Sequence, residues 1–140
     1  MVGIEKAINL ALTNHQGQKD KAGRAYIFHP IRVMLKFNDE KLQCIAILHD
    51  ILEDTELTET DLVEHGFSDD IVEAVVCLSR NQNEIYQDFI ERLSKNKLAR
   101  AVKIADIEDN LDISRLKFLN DQDLRRINKY KKALNYLHSL

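Results

Sequence analysis

Four side chains able to do acid–base or metal chemistry fall within six residues: His49, Asp50, Glu53 and Asp54. They are set into an apolar run (Leu42, Cys44, Ile45, Ala46, Ile47, Leu48, Ile51 and Leu52) whose spacing predicts a helix over 41–52. Its hydrophobic positions cover nearly the whole circumference, which places the helix in a core. A carboxylate and an imidazole are costly there unless paired or bound to a metal. On one regular helix Glu53 stands above His49 and Asp54 above Asp50, so four polar groups converge near one end. Asp106 repeats the anomaly inside the apolar stretch 101–107, with Asp109, Asn110 and Asp112 following within two turns. His29 directly precedes Pro30, at a helix start that would hold its ring rigidly.

Spacing alone leaves two readings open. In the first, each polar group is structural: a hydrogen-bonded core histidine, or an aspartate paired with Lys103. In the second, His29, His49, Asp50 and Asp106 form one mixed nitrogen and oxygen ligand set. Such a set suits a borderline or hard divalent cation, Mn²⁺ or Fe²⁺ more clearly than Zn²⁺. His15, His65 and His138 read as structural residues.

The elements that must position these groups are all helical. A stripe at Ile4, Ala7, Ile8, Ala11 and Leu12 predicts a helix over 2–16, followed by a polar loop over 15–24. Pro30 is expected to open a second helix. Asp39, Thr58, Ser68, Asn96 and Asn120 or Asp121 are expected N-caps of later ones. One more helix covers 85–93. No alternating strand pattern occurs, so the expected fold is an all-α bundle of about eight short helices.

Length and composition set the outer bounds. A chain of 140 residues suits a single domain over 1–140, and 44% apolar with 31% charged residues is ordinary globular composition. Four Gly and one Pro disfavour a turn-rich β-sandwich or barrel. The net charge of −3 argues against nucleic acid as a general partner. Charge is uneven: residues 39–70 hold eleven acids and one base, residues 115–140 seven bases and two acids. An acidic centre beside a basic tail is compatible with a metal site in one place and phosphate contacts in another. Cys44 and Cys77 lie in apolar runs and read as buried thiols of a reducing compartment. No stretch is long and apolar enough to span a membrane, so no membrane partner is expected and the expected location is cytoplasmic. The sequence fixes no oligomeric state.

Several stretches resemble the HD-domain phosphohydrolases. More narrowly, they are similar to the hydrolase domain of the RelA/SpoT-type alarmone enzymes and the stand-alone metazoan SpoT homologue. They are His15-Gln16-Gly17-Gln18, Gly23, Tyr26-Ile27-Phe28-His29-Pro30, Leu48-His49-Asp50-Ile51-Leu52-Glu53-Asp54-Thr55, and Val102-Lys103-Ile104-Ala105-Asp106 with Asn110. The resemblance implies an HD helical bundle with His29, His49, Asp50 and Asp106 as ligands of one divalent metal, Mn²⁺ first. It implies Glu53 and Asp54 as the catalytic carboxylates that orient or activate the attacking water. The implied reaction is removal of the 3′-diphosphate of (p)ppGpp as pyrophosphate, and the implied partner a phosphorylated nucleotide. The expected substrate contacts are Lys19, Lys21, Arg24, Tyr26 and Asn110. The alternatives are another phosphorylated nucleotide such as NADPH, or a non-catalytic nucleotide-binding module, which would need neither Glu53 nor Asp54. The chain departs from the family pattern at Asp20, where a basic residue is usual, and at Ala25, Asp112 and Ile113. In 140 residues there is no room for the synthetase half of the bifunctional enzymes.

Overall fold

A computed structural model describes residues 2–140. Among them nine α-helices occur: α1 (Ile4–Asn14), α2 (Phe28–Met34), α3 (Glu40–Leu48), α4 (Ile51–Asp54), α5 (Glu59–Glu64), α6 (Asp69–Cys77), α7 (Tyr86–Leu93), α8 (Lys97–Asn110) and α9 (Asp121–His138). A 3-10 turn, Ile113–Arg115, links α8 to α9. The expectation of an all-helical bundle holds. The one strand-like feature among the described residues is an isolated bridge between Lys19 and Ala25.

α3 is the axis of the bundle, packed by α1, α2, α6 and α8. That surround explains its composition: Ile45, Ala46, Ile47 and Leu48 are all fully buried. Burying each such Ile or Leu contributes about 1.5–3 kcal/mol, so the helix is held by packing more than by propensity. Cys44 is buried as expected, whereas Cys77, at the end of α6, is only half-buried. No helix among the described residues is long and apolar enough to cross a membrane.

The caps follow the expected chemistry with one exception. Asp39 accepts from the Leu42 N–H, Asn96 from Ala99, and Thr58 and Asn120 form reciprocal capping boxes with Asp61 and Asp123. Ser68 makes no cap bond; its hydroxyl donates to Asp70 at 2.5 Å instead. α5 ends where Gly66 takes φ +94°, with Phe67 N–H returning to Leu62 O and Gly66 N–H to Val63 O. That paired closure requires the left-handed conformation glycine adopts freely.

Two expectations need correction. α2 begins at Phe28, so Pro30 is the third helical residue and not the first, still within the turn whose N–H groups lack partners. The helix expected over 41–52 is two, α3 and α4, broken at His49 and Asp50. His49 N–H reaches back only to Ala46 O, and Asp50 leaves the helical region at φ −105°, ψ 4°.

Candidate metal centre and catalytic cleft

The break between α3 and α4 is what assembles the site. Adjacent residues on a regular helix project about 100° apart, because a turn holds 3.6 residues. With the helix broken, His49 Nε2 and Asp50 Oδ2 approach to 3.1 Å. α2 brings His29 to the same point, its Nε2 3.2 Å from that of His49. α8 brings Asp106, whose Oδ1 lies 2.9 Å from His29 Nε2 and 3.3 Å from His49 Nε2. The donor atoms of His29, His49 and Asp50 all lie within 4.8 Å of one another. Thus the four expected ligands, on three separate stretches of chain, converge.

The hydrogen bonds behind them test whether they fit a cation. His49 Nδ1 faces the Ala46 carbonyl at 2.6 Å and can only donate to it. His29 Nδ1 faces Asp109 Oδ2 at 2.7 Å. With Nδ1 committed on both rings, the neutral forms turn two Nε2 lone pairs toward each other and toward two carboxylates. Two lone pairs repel across 3.2 Å, and so do two N–H groups. One divalent cation accepts both lone pairs and offsets both negative charges, so the donor set fits such an ion.

Electrostatics agree. Burial opposes a charge on His49, but Asp50 and Asp106 overcome it and hold its pKa well above the ordinary value. His29 is raised likewise against burial by Asp106 and Asp109. Burial would raise Asp106, yet Lys103 and His49 hold it well below the usual carboxylate range. Lys103 Nζ sits 2.9 Å from Asp106 Oδ2 and Asn110 Nδ2 3.0 Å from Oδ1.

Of the four expected ligands His29, Asp50 and Asp106 line a cleft of about 630 Å³, and His49 is buried behind them. Glu53 and Asp54 line it too, but differently from the helical stacking expected of them. Glu53 Oε1 accepts the Arg80 backbone N–H, which ties it to the start of the α6–α7 loop. The Asp54 carboxylate makes no hydrogen bond among the described residues. Burial, then the charges of Asp50 and Glu53, push its pKa up to about 6.

The expected substrate contacts divide. Lys19, Lys21, Tyr26 and Asn110 line the cleft, and Arg24 does not. The loop reverses at Gly23 (φ +81°), and Arg24 stacks over the exposed Phe28 ring, 5.3 Å from its centroid. Tyr26 donates its hydroxyl to Asp50 Oδ2, so it supports a ligand and offers the cleft only its ring. Asn110 is likewise engaged by Asp106. Asp20 Oδ1 accepts from the Ala22 and Arg24 N–H groups, both at 2.9 Å, and so builds the loop. His15, read as structural, packs on Tyr26 with ring centroids 5.0 Å apart and meets Gln18 at 2.9 Å. Gln18 in turn donates to Asp54 O at 2.8 Å.

Sequence reasoning missed the opposite wall. Arg80, Tyr86, Arg126, Lys129 and Tyr130 line the cleft, Lys129 lying 4.5 Å from the Tyr86 ring centroid. The signal was present in α9: Arg126, Lys129 and Tyr130 follow i, i+3, i+4 spacing on one face.

The HD domain family model matches residues 22–112, the stretch that contains all four converging ligands. The Mycoplasma genitalium probable guanosine-3′,5′-bis(diphosphate) 3′-pyrophosphohydrolase is 35% identical over 98 residues, 67% of this chain and 13% of that protein. The Aquifex aeolicus guanosine-3′,5′-bis(diphosphate) 3′-pyrophosphohydrolase is 32% identical over 120 residues, 77% of this chain and 17% of that protein. The chain therefore spans about one sixth or less of the length of these relatives. A solved structure described as a metazoan ortholog of SpoT that hydrolyzes ppGpp superposes with a TM-score of 0.80 at 24% identity, over 96% of this chain and 84% of that one. At that identity the likeness speaks for the fold. Histidine–aspartate pair, helical frame and family match agree: the chain belongs to the HD domain family.

Proposed function

We propose that this chain is a metal-dependent phosphohydrolase that releases pyrophosphate from the 3′-diphosphate of a guanosine nucleotide, (p)ppGpp. Mn²⁺ is the proposed ion, held by His29, His49, Asp50 and Asp106. The observation that carries the reading is the convergence of two Nε2 atoms and two carboxylates at a cleft that His29, Asp50 and Asp106 line together with eight Lys and Arg side chains. Two relatives named as 3′-pyrophosphohydrolases support the substrate class.

When bound, a dication lowers the pKa of water and neutralises phosphate charge. The protein's own groups do the rest. Asp54, unengaged and pushed up to about 6, is a base matched to neutral pH and takes a proton from the attacking water. The water oxygen bonds to the phosphorus attached at O3′, and the P–O3′ bond breaks. Protonated Asp54 then returns its proton to the departing O3′, which closes the balance. Glu53 holds the Arg80 backbone and thereby the far wall of the cleft. Lys19, Lys21, Arg80, Arg126 and Lys129 hold the phosphates, and the Tyr86 and Tyr130 rings offer faces to the base. The chain works in the cytoplasm on a soluble nucleotide.

The test is product analysis of the Mn²⁺-loaded protein incubated with ppGpp. The expected products are GDP and pyrophosphate in equal amounts. Release of monophosphate alone, or no turnover of ppGpp beside turnover of NADPH, would replace the substrate and leave the reaction class.

A further inference from the structure

Behind the ligand set, three of the four rest on partners other than a carboxylate. His49 leans on a backbone carbonyl, Asp50 accepts from the Tyr26 hydroxyl, and Asp106 accepts from Lys103 and Asn110. His29 alone is backed by a second buried carboxylate, Asp109, at 6% exposure. Asp109 is gripped from three sides. Arg32 forms a fork on it, Nε to Oδ1 at 2.8 Å and Nη2 to Oδ2 at 3.0 Å. Arg115, from the 3-10 turn, donates to its backbone oxygen at 2.9 Å. The pattern is a ladder between two helices. His29 and Arg32 stand one turn apart on α2, and Asp106 and Asp109 one turn apart on α8. His29 bridges both aspartates, Nε2 to Asp106 and Nδ1 to Asp109.

A buried carboxylate with this much compensation has a purpose beyond packing. A carboxylate behind an imidazole fixes the ring and its tautomer and raises the basicity of the opposite nitrogen. A guanidinium fork keeps that carboxylate aimed, because two parallel bonds fix its plane. We infer that Asp109, aligned by Arg32, is a positioning residue that holds His29 as an Nε2 ligand and so sets the affinity of the site for its cation. The inference rests on the metal-centre reading above and adds to it a residue of this chain with no direct contact to the ion.

The experiment measures Mn²⁺ affinity by calorimetry in wild type, Asp109→Leu, Asp109→Asn and Arg32→Gln. In parallel, the proton on His29 Nδ1 is observed by NMR in Zn²⁺-loaded protein. Asp109→Leu is expected to weaken Mn²⁺ binding about 10–100-fold and to lose the resolved Nδ1 proton, the usual scale for such a partner. Asp109→Asn keeps an acceptor oxygen and is expected to restore the Nδ1 signal and most of the affinity. Arg32→Gln tests the relay if Asp109→Leu fails to fold, and is expected to fall between wild type and the leucine variant. Wild-type affinity and an unchanged Nδ1 proton in both Asp109→Leu and Arg32→Gln would overturn the inference. So would equal losses in Asp109→Asn and Asp109→Leu, since the retained acceptor would then count for nothing. Failure of wild type to bind Mn²⁺ or Zn²⁺ would instead sink the metal-centre reading itself.

Discussion

At the scale of single residues, Glu53 and Asp54 are neighbours with different surroundings. Asp54 is the unengaged carboxylate and the proposed base, whereas Glu53 is anchored by a backbone N–H. Asp54→Asn should therefore lower kcat by about 10²-fold or more with Mn²⁺ retained. Glu53→Gln keeps an oxygen that accepts the Arg80 N–H and should cost less; equal losses from the two variants would remove the distinction. The pH dependence has a definite sign. A base works ionised, so activity falls as pH drops through the Asp54 pKa. In ion-free protein partial burial, then the charges of Asp50 and Glu53, push the pKa of that carboxyl up to about 6. A bound dication favours the carboxylate, so the acidic limb of kcat should lie below that value. Carbon-13 titration with and without the ion measures both. Asp20 is the other informative position. Its negative charge in the cleft wall opposes a phosphorylated ligand, but its Oδ1 also builds the loop, so an arginine there would lose two backbone bonds. Asp20→Asn keeps the acceptor and removes the charge. It should lower KM for ppGpp with little change in kcat; an unchanged KM means that Lys19 and Lys21 already mask the charge.

At the scale of elements, most helices were legible because apolar spacing and polar caps agree. α5 and α9 carry full capping boxes, and the α1 stripe buries Ala7 and Ala11, although Leu12 of that stripe is exposed and Leu10, outside it, is buried. The break between α3 and α4 was not legible, because apolar residues run on through Ile51 and Leu52 and no Gly or Pro marks it. It arises from tertiary demand: His49 and Asp50 must both face one point, which a continuous helix forbids. The ligands were readable as polar groups in apolar runs. The α9 wall of the cleft showed only as i, i+3, i+4 spacing, which does not single it out, because exposed cations on a helix look alike whether they face solvent or a ligand. α8 supplies an element-scale prediction. Lys103, partly buried, and Asp106, buried, form an i,i+3 pair, and Lys103 also lies over the Phe89 ring, 5.2 Å from its centroid. Lys103→Met leaves a buried carboxylate charge with less compensation, which costs about 3 kcal/mol in comparable pairs. A bound cation supplies part of what the lysine did. The variant should therefore be destabilised more without Mn²⁺ than with it, and the rise in Tm on adding Mn²⁺ should exceed that of wild type. An equal rise in both proteins would mean that Lys103 and the ion do not share the charge of Asp106.

At the scale of the whole molecule, the chain carries a net charge of −3, yet its proposed substrate is a polyanion. The cleft resolves the conflict by local arrangement. Lys19, Lys21, Arg32, Arg80, Lys103, Arg115, Arg126 and Lys129 line it, contributed by the first loop, α2, the α6–α7 loop, α8, the 3-10 turn and α9. Crowding among these like charges, after burial, lowers the pKa values of Lys129 and Lys21. Such mutual repulsion is unfavourable in the free protein and would be relieved by a bound phosphate of the proposed substrate. The carboxylates of the cleft (Asp20, Asp50, Glu53, Asp54, Asp106 and Asp112) are fewer than these cations, and further acidic residues lie away from it, on α5 and the start of α6, where Glu59, Glu64 and Asp69 are exposed. The attraction is long-ranged, with a screening length of about 30 Å at 0.01 M salt and about 10 Å at 0.1 M. Raising salt across that range at fixed Mn²⁺ should increase KM for ppGpp several-fold while kcat stays nearly constant, because screening weakens ground-state and transition-state binding alike. Arg126→Gln combined with Lys129→Gln should raise KM at low salt and flatten its salt dependence, without changing the affinity for Mn²⁺. A KM indifferent to salt in wild type would show that the cleft cations do not hold the phosphates, and an unchanged slope in the double variant would show that the α9 wall takes no part.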